Sequence, residues 1–230
     1  MKAKKIKVLV LYNEAHPEYY HKSEEPLHDP DFQTYFEVEE LTPMEEFEIM
    51  AKKLNKLGFD AYCLNLKDDI FLLLNQIEKN KPDVIFNFVE IYKDRPRLEM
   101  NIVGLYELLG VTYTGAPALT LANCQNKFLT KKLLNYHGIT TAKFNLYTEM
   151  PEQLKWHGKF PVIVKPAFED ASVGIENESI VNNLDALQKR LEYVFKYFKQ
   201  PALVEEFVEG REFNVSVVGD LRPKVLPISE

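Results

Sequence analysis

Cysteine is scarce in this 230-residue chain, which has only Cys63 and Cys124. They lie far apart and share no Cys-x-x-Cys spacing, so a disulfide framework is excluded and two buried free thiols in a reducing compartment are expected. A basic excess is lacking too. The 28 Lys and Arg against 35 Asp and Glu give a net charge of −7, which argues against a nucleic-acid partner. No apolar run reaches the length of a membrane span, so no membrane partner is expected. The basic N-terminus leads into residues 6–12, too short for a signal core and without a small-residue cleavage site, so a cytoplasmic location is expected. No Gly-x-Gly-x-x-Gly follows that first apolar run, and a dinucleotide-binding reading fails there.

What is present is an ordinary soluble composition, 46% hydrophobic and 27% charged. The length suffices for one large or two small domains with a real core. Residues 6–12 read as a strand buried inside a parallel sheet. Residues 13–41 are poor in aliphatics and rich in Glu, His, Pro and Asp, so they read as a long loop. Its His16, His21 and His28 match no metal-ligand spacing. Thr42 to Glu45 form a capping box with Pro43 at the first helical position. Met44, Phe47, Ala51 and Leu54 then repeat at helical spacing up to Gly58. A strand over 60–64, a helix capped by Asp68 or Asp69, a strand over 82–88, a helix through Leu98 to Leu109 and a strand over 111–113 complete four alternations. Such alternation predicts a parallel sheet with right-handed crossovers. Its ligands bind at the strands' carboxyl ends, near Asn13, Asn65, Asn87 to Glu90 and Thr114 to Ala116.

Beyond Pro117 a single helical run is expected through Leu119, Lys127 and Leu134 to Gly138. Lys127 sits near a helix start, where amides and the dipole favour anions, although alone it reads as an exposed lysine. A short strand at 144–146 follows, with Trp156 packed nearby. Residues 159–175 organise the rest. Val162, Ile163 and Val164 form an apolar strand that ends in Lys165 and Pro166. An ammonium held there is costly to bury without an anion. Glu169 to Gly174 make a loop of small and acidic residues, with the Ser172 hydroxyl and a glycine that permits close backbone approach. This pattern suits phosphate binding, and equally a β-edge leading into a turn. A helix capped by Asn182 or Asn183 spans 184–198, and a strand spans 202–208. In that strand one of the adjacent Glu205 and Glu206 must point inward. Residues 212–217 alternate strictly and read as a strand whose Glu212 face suits a hydroxyl such as a ribose. Gly219 and Asp220 form a hairpin turn into a return strand over 224–228.

In this order the features resemble the ATP-grasp ligases, specifically the D-alanine–D-alanine ligase branch. The matching pieces are residues 83–90, 113–116, 126–127, 160–166, 169–174 and 203–215. The resemblance implies an α/β fold: a parallel N-terminal domain over 1–113, then an α+β ATP-grasp domain with a central subdomain over 114–203 and the start of a C-terminal one over 204–230, incomplete at its end. It implies that Lys127 and Lys165 hold ATP phosphates, and that Glu169 to Gly174, with Ser172 and Val173, form the loop over the γ-phosphate. It implies that Glu205, Glu206 and Val208 read adenine and that Glu212 binds the ribose. Glu90 and Glu99 fall on the substrate side. The implied chemistry is ATP- and Mg²⁺-dependent joining of a small carboxylate to an amine through an acyl phosphate, in a dimer. Asn13 to Pro17 replace the branch's glycine-rich turn, and Asp170 and Ala171 replace its usual Gly-Ser. A substrate other than D-alanine is therefore expected. The family's metal ligands and catalytic arginine lie beyond Glu230, so the metal set within the chain is none and the chain is expected to be an inactive fragment. The alternatives are a non-catalytic ATP-binding or regulatory module and a sugar- or amino-acid-binding domain in which Lys127 and Lys165 are unimportant.

Overall fold

The computed structural model describes residues 4–14, 43–169, 172–219 and 222–230. The expected 13–41 loop with its three histidines falls almost wholly outside these residues. So do the Thr42 cap, Asp170, Ala171 and half of the Gly219–Asp220 turn. The chain divides into two compact units, Met1–Gln125 and Asn126–Glu230.

In the first unit, strands β1 (Lys7–Tyr12), β2 (Asp60–Asn65), β3 (Val84–Asn87) and β4 (Thr112–Tyr113) alternate with helices α1 (Pro43–Lys56), α2 (Ile70–Asn80) and α3 (Glu99–Leu108). The strands are all parallel, in the order β2-β1-β3-β4. The apolar run of β1 has a simple cause. Leu9 and Leu11 pack with Leu73 of α2 and Ile102, Val103 and Tyr106 of α3. Val8 and Val10 point the other way, onto Ala51 of α1. A strand covered on both faces needs apolar residues at every position. Asp69 caps α2, its side chain accepting from the Phe71 amide. A turn of 3-10 helix over Pro96–Leu98 precedes α3.

The helical run expected through Leu119 to Gly138 is two helices, α4 (Ala118–Cys124) and α5 (Lys127–Tyr136). The break has a local cause: Asn126 leaves helical geometry at φ −106° and ψ 88°, and its side chain accepts from the Leu129 amide as a new N-cap. The division between the units falls at this break, whereas the sequence segmentation places a boundary after Tyr113. The two thiols also differ from expectation. Cys124 is exposed at the end of α4, and Cys63 is half-buried with its thiol directed at the Phe47 carbonyl.

The second unit holds a separate sheet of β5 (Phe144–Tyr147), β6 (Val162–Pro166), β7 (Ile180–Val181) and β8 (Ala202–Glu206), in the order β5-β8-β6-β7 and antiparallel throughout. Helix α6 (Leu184–Phe198), capped by Asn183, covers one face. Its Leu187, Leu191 and Val194 bury against Val162, Val164, Ala202 and Val204, with Trp156 packed at the side. Each fully buried aliphatic contributes about 1.5–3 kcal/mol. The alternating strand expected over 212–217 forms only in part. Residues 217–218 (β9) pair with Lys224–Val225 (β10), and Asn214 bridges Ser229. Phe213, Val215, Val217 and Val225 are all more than half exposed. Without burial on one face, alternation alone does not fix a longer ladder. Among the described residues no helix is long and apolar enough to cross a membrane.

Candidate functional site

The strand period places the charged groups. Along β6, Val162 and Val164 face α6, so Ile163 and Lys165 face the opposite side. Along β8, Val204 faces α6, so Leu203 and Glu205 share the opposite side. Lys165 stands opposite Leu203 and Ile163 opposite Glu205, which makes Lys165 and Glu205 diagonal neighbours. The Lys165 ammonium lies 2.6 Å from Oε1 of Glu205. The Lys131 ammonium of α5 lies 2.7 Å from Oε2. All three side chains are largely buried, with exposures of 25% for Lys165, 14% for Lys131 and 11% for Glu205. Burial by itself pushes the Glu205 carboxyl up; the hydrogen bonds and charges of the two lysines outweigh it and hold the group below its usual range. Two cations against one anion leave a local surplus of positive charge on this face of the sheet.

The 169–174 loop is anchored at both ends. At its start the Ala167 carbonyl accepts from the Lys127 amide at 3.2 Å. The Lys127 ammonium donates to the Glu169 carbonyl. Gln200 accepts from the Phe168 amide at 2.8 Å and donates to the Glu169 carboxylate at 2.7 Å. At its end Gly174 has φ +73°, and a Cβ there would lie 2.6 Å from Phe198 and 2.8 Å from Pro166. Only glycine fits both the backbone angle and the space. The Gly174 carbonyl accepts from the buried Arg190 of α6 at 2.9 Å, and the same guanidinium holds Ser179 and Glu176. Ser172 takes φ +63°, unusual for a residue with a side chain, and with Val173 is exposed.

Glu206 lies at the end of β8, where its carboxylate accepts from the Lys159 amide at 2.9 Å. One adjacent carboxylate therefore points inward to two lysines, and its neighbour points to a backbone turn. Val208 and Glu212 are exposed beyond the strand. Lys127 thus meets Glu169, Lys165 meets Glu205, and Gly174 packs on Pro166, the residue after Lys165. Glu212 is not drawn into the lysine cluster by any described contact.

In the first unit, Glu90 and Glu99 line a cavity of about 220 Å³ at the carboxyl ends of β3 and β4, with Asn87, Thr114 and Gly115. Asn87 is fixed there: its amide donates to the Thr114 hydroxyl at 3.0 Å, and its side-chain oxygen accepts from Tyr106 at 2.9 Å. Burial, and then the charge of Glu99, push the Tyr106 hydroxyl well up, so it serves as a donor. Glu99 accepts from Gln125 at 2.7 Å, and Glu90 is exposed. A larger open groove of about 1010 Å³ runs along α3 and α4, but its lining is mainly aliphatic, including Ile102, Leu105, Leu108 and Leu119. Convergent polar groups are found in the smaller cavity. Asn13, just after β1, is tied in nearby. Asn13 donates to Asp68 and to the Ile91 carbonyl, both at 2.8 Å, and Asp68 accepts from the Lys93 amide at 2.7 Å.

Sequence reasoning missed Lys131, Gln200, Arg190 and the partnership of Asn13 with Asp68. Lys131 had a signal, being four residues from Lys127 on one helical face and so aimed the same way. An inward Glu205 also demanded a cation. The other three depend on pairings between distant segments.

The family described as "D-ala D-ala ligase C-terminus" matches residues 130–230. The D-alanine–D-alanine ligase of Aquifex aeolicus (strain VF5) is 33% identical over 185 residues, covering 79% of this chain and 58% of that protein. The chain therefore spans 58% of the length of that relative. The solved D-alanine–D-alanine ligase of Bacillus anthracis superposes over 96% of this chain and 62% of its own, with a TM-score of 0.65 at 23% identity. The same ligase complexed with ATP gives a TM-score of 0.63 at 19% identity, over 96% and 68% of the two chains. These likenesses show the fold, a parallel sheet followed by an antiparallel one. The family match over residues 130–230 and the sequence relatives support the D-alanine–D-alanine ligase-like branch of the ATP-grasp ligases as the family that this chain resembles.

Proposed function

We propose that this chain carries the ATP-holding part of a carboxylate–amine ligase. The observation that supports it is the cluster of Lys131, Glu205 and Lys165, the last on the strand that leads into the segment anchored at Glu169 and Gly174. Lys165 and Lys127 supply point charges for phosphate oxygens. Gly174 packs against Pro166 and Phe198 at the end of the segment, and Ser172 and Val173 just before it are exposed. Glu205, Glu206 and Val208 border the adenine, and Glu212 takes the ribose. In the reaction a substrate carboxylate oxygen attacks the γ-phosphorus and the bond to ADP breaks. The amine nitrogen then attacks the acyl carbon, phosphate leaves, and the amine loses a proton. Glu90 and Glu99 lie on the substrate side. Asn13, tied into the Asp68 network where the branch carries a glycine-rich turn, supports a substrate other than D-alanine. Mg²⁺ accompanies ATP in this reading. Among the described residues there is no group of three or more His, Cys, Asp or Glu that could hold a metal ion. A dimer and a cytoplasmic location belong to the same reading.

Calorimetric titration with ATP tests it. The wild type should bind, and Lys165→Met should weaken binding about 10–100-fold, the loss of one charge-assisted hydrogen bond of about 1.5–3 kcal/mol. Equal affinity in the two proteins would refute the phosphate role of Lys165.

A further inference from the structure

Lys131 has no role in the reading above, yet it takes one oxygen of Glu205 while Lys165 takes the other. We propose that Lys131 is a positioning residue: it retains Glu205 so that Lys165 is free to exchange that carboxylate for a phosphate. The inference rests on the ATP-binding reading.

The argument is one of charge in a buried place. A single lysine on Glu205 would form a neutral, closed pair. For Lys165 to reach a phosphate it would have to break that pair and leave a desolvated carboxylate alone, which is strongly unfavourable. With Lys131 in place the cluster holds two cations and one anion. If Lys165 turns away, Glu205 keeps a partner at 2.7 Å. Lys131 also offsets the negative charge that would otherwise repel an incoming phosphate.

The geometry makes Lys131 the fixed partner and Lys165 the exchangeable one. Lys131 is the less exposed, 14% against 25%. Its ammonium lies 5.2 Å from the centre of the Phe144 ring, and Phe128 packs edge-on against that ring from the same helix. Phe144 itself stands directly opposite Glu205 in the sheet. The helix that carries Lys131 is set at its start by the Asn126 cap. Lys165, by contrast, sits at the penultimate position of β6, next to the 167–174 segment.

The test is a double-mutant cycle on the whole chain, read as ATP affinity by calorimetry. Lys131→Met should weaken ATP about tenfold or more, because Glu205 then locks Lys165. In a Glu205→Gln background the same change should alter affinity by less than about twofold, since a neutral amide places no lock on Lys165. Lys131→Arg, which keeps the charge, should stay close to wild type. Should Lys131→Met not fold, Lys131→Gln reads the same way. An equal loss in both backgrounds would mean that Lys131 touches the phosphate or merely supports the fold, and would overturn the proposal. So would unchanged affinity in Lys131→Met. A wild type that does not bind ATP would instead sink the ATP reading itself, and this inference with it.

Discussion

Gly174→Ala should destabilise the second unit by about 3 kcal/mol. Two costs combine. Holding an alanine at φ +73° costs about 1 kcal/mol relative to glycine. The new methyl would stand 2.6 Å from Phe198 and 2.8 Å from Pro166, overpacking of a kind that costs about 1–3 kcal/mol. The Phe198 ring can turn, but Pro166 lies within β6, so the strain cannot be relieved entirely at a side-chain tip. Urea unfolding followed by tryptophan fluorescence is the assay. Trp156 is the only tryptophan and packs, partly buried, against the core of the second unit, so it reports on that unit alone. This avoids averaging two compact units into one transition. For a unit of this size, Asn126–Glu230, the change corresponds to a fall in Tm of roughly 12–24 °C. A loss below about 0.5 kcal/mol would mean that the loop end relaxes freely, and would refute the description of Gly174 as wedged between β6 and α6.

Arg190→Met should cost about 3 kcal/mol by the same fluorescence assay, because Glu176, Ser179 and the Gly174 carbonyl lose a shared buried partner; a near-neutral result would show that the guanidinium does not anchor the loop. Glu205 supplies a pH test. Its carboxyl is lowered in the folded chain, so its stabilisation is fully present above the unfolded value of about 4.3 and is lost as pH falls through the lower folded value. The stability gap between wild type and Glu205→Gln should therefore be largest near neutrality and shrink below about pH 4. A gap that does not change with pH would contradict the pairing with Lys131 and Lys165.

Much of this was legible in the sequence, for identifiable reasons. The parallel sheet could be read because β1 is covered on both faces and must be apolar throughout, and because helix caps such as Asp69 and Asn183 are local signals. The inward and outward split of Glu205 and Glu206 followed from the strand period, and the two carboxylates do face different surroundings. The break between α4 and α5 was missed because Asn126 fits a helical pattern until its side chain turns to cap Leu129. The strand over 212–217 was overextended because alternation signals a strand only where one face is buried, and here both are exposed. The lysine cluster was only half visible: Lys165 stands out after an apolar strand, whereas Lys131 is marked only by its four-residue spacing from Lys127 until β5, β6 and β8 are paired. Gln200 and Arg190 act across more than ten residues of intervening chain, where no local spacing reveals them.

The most direct test of the central claim is a crystal structure of this chain soaked with a non-hydrolysable ATP analogue. The account predicts phosphate oxygens within about 3 Å of the Lys127 and Lys165 ammonium groups, with Glu205 still held by Lys131. A nucleotide bound away from these lysines, or none at saturating concentration, would contradict it.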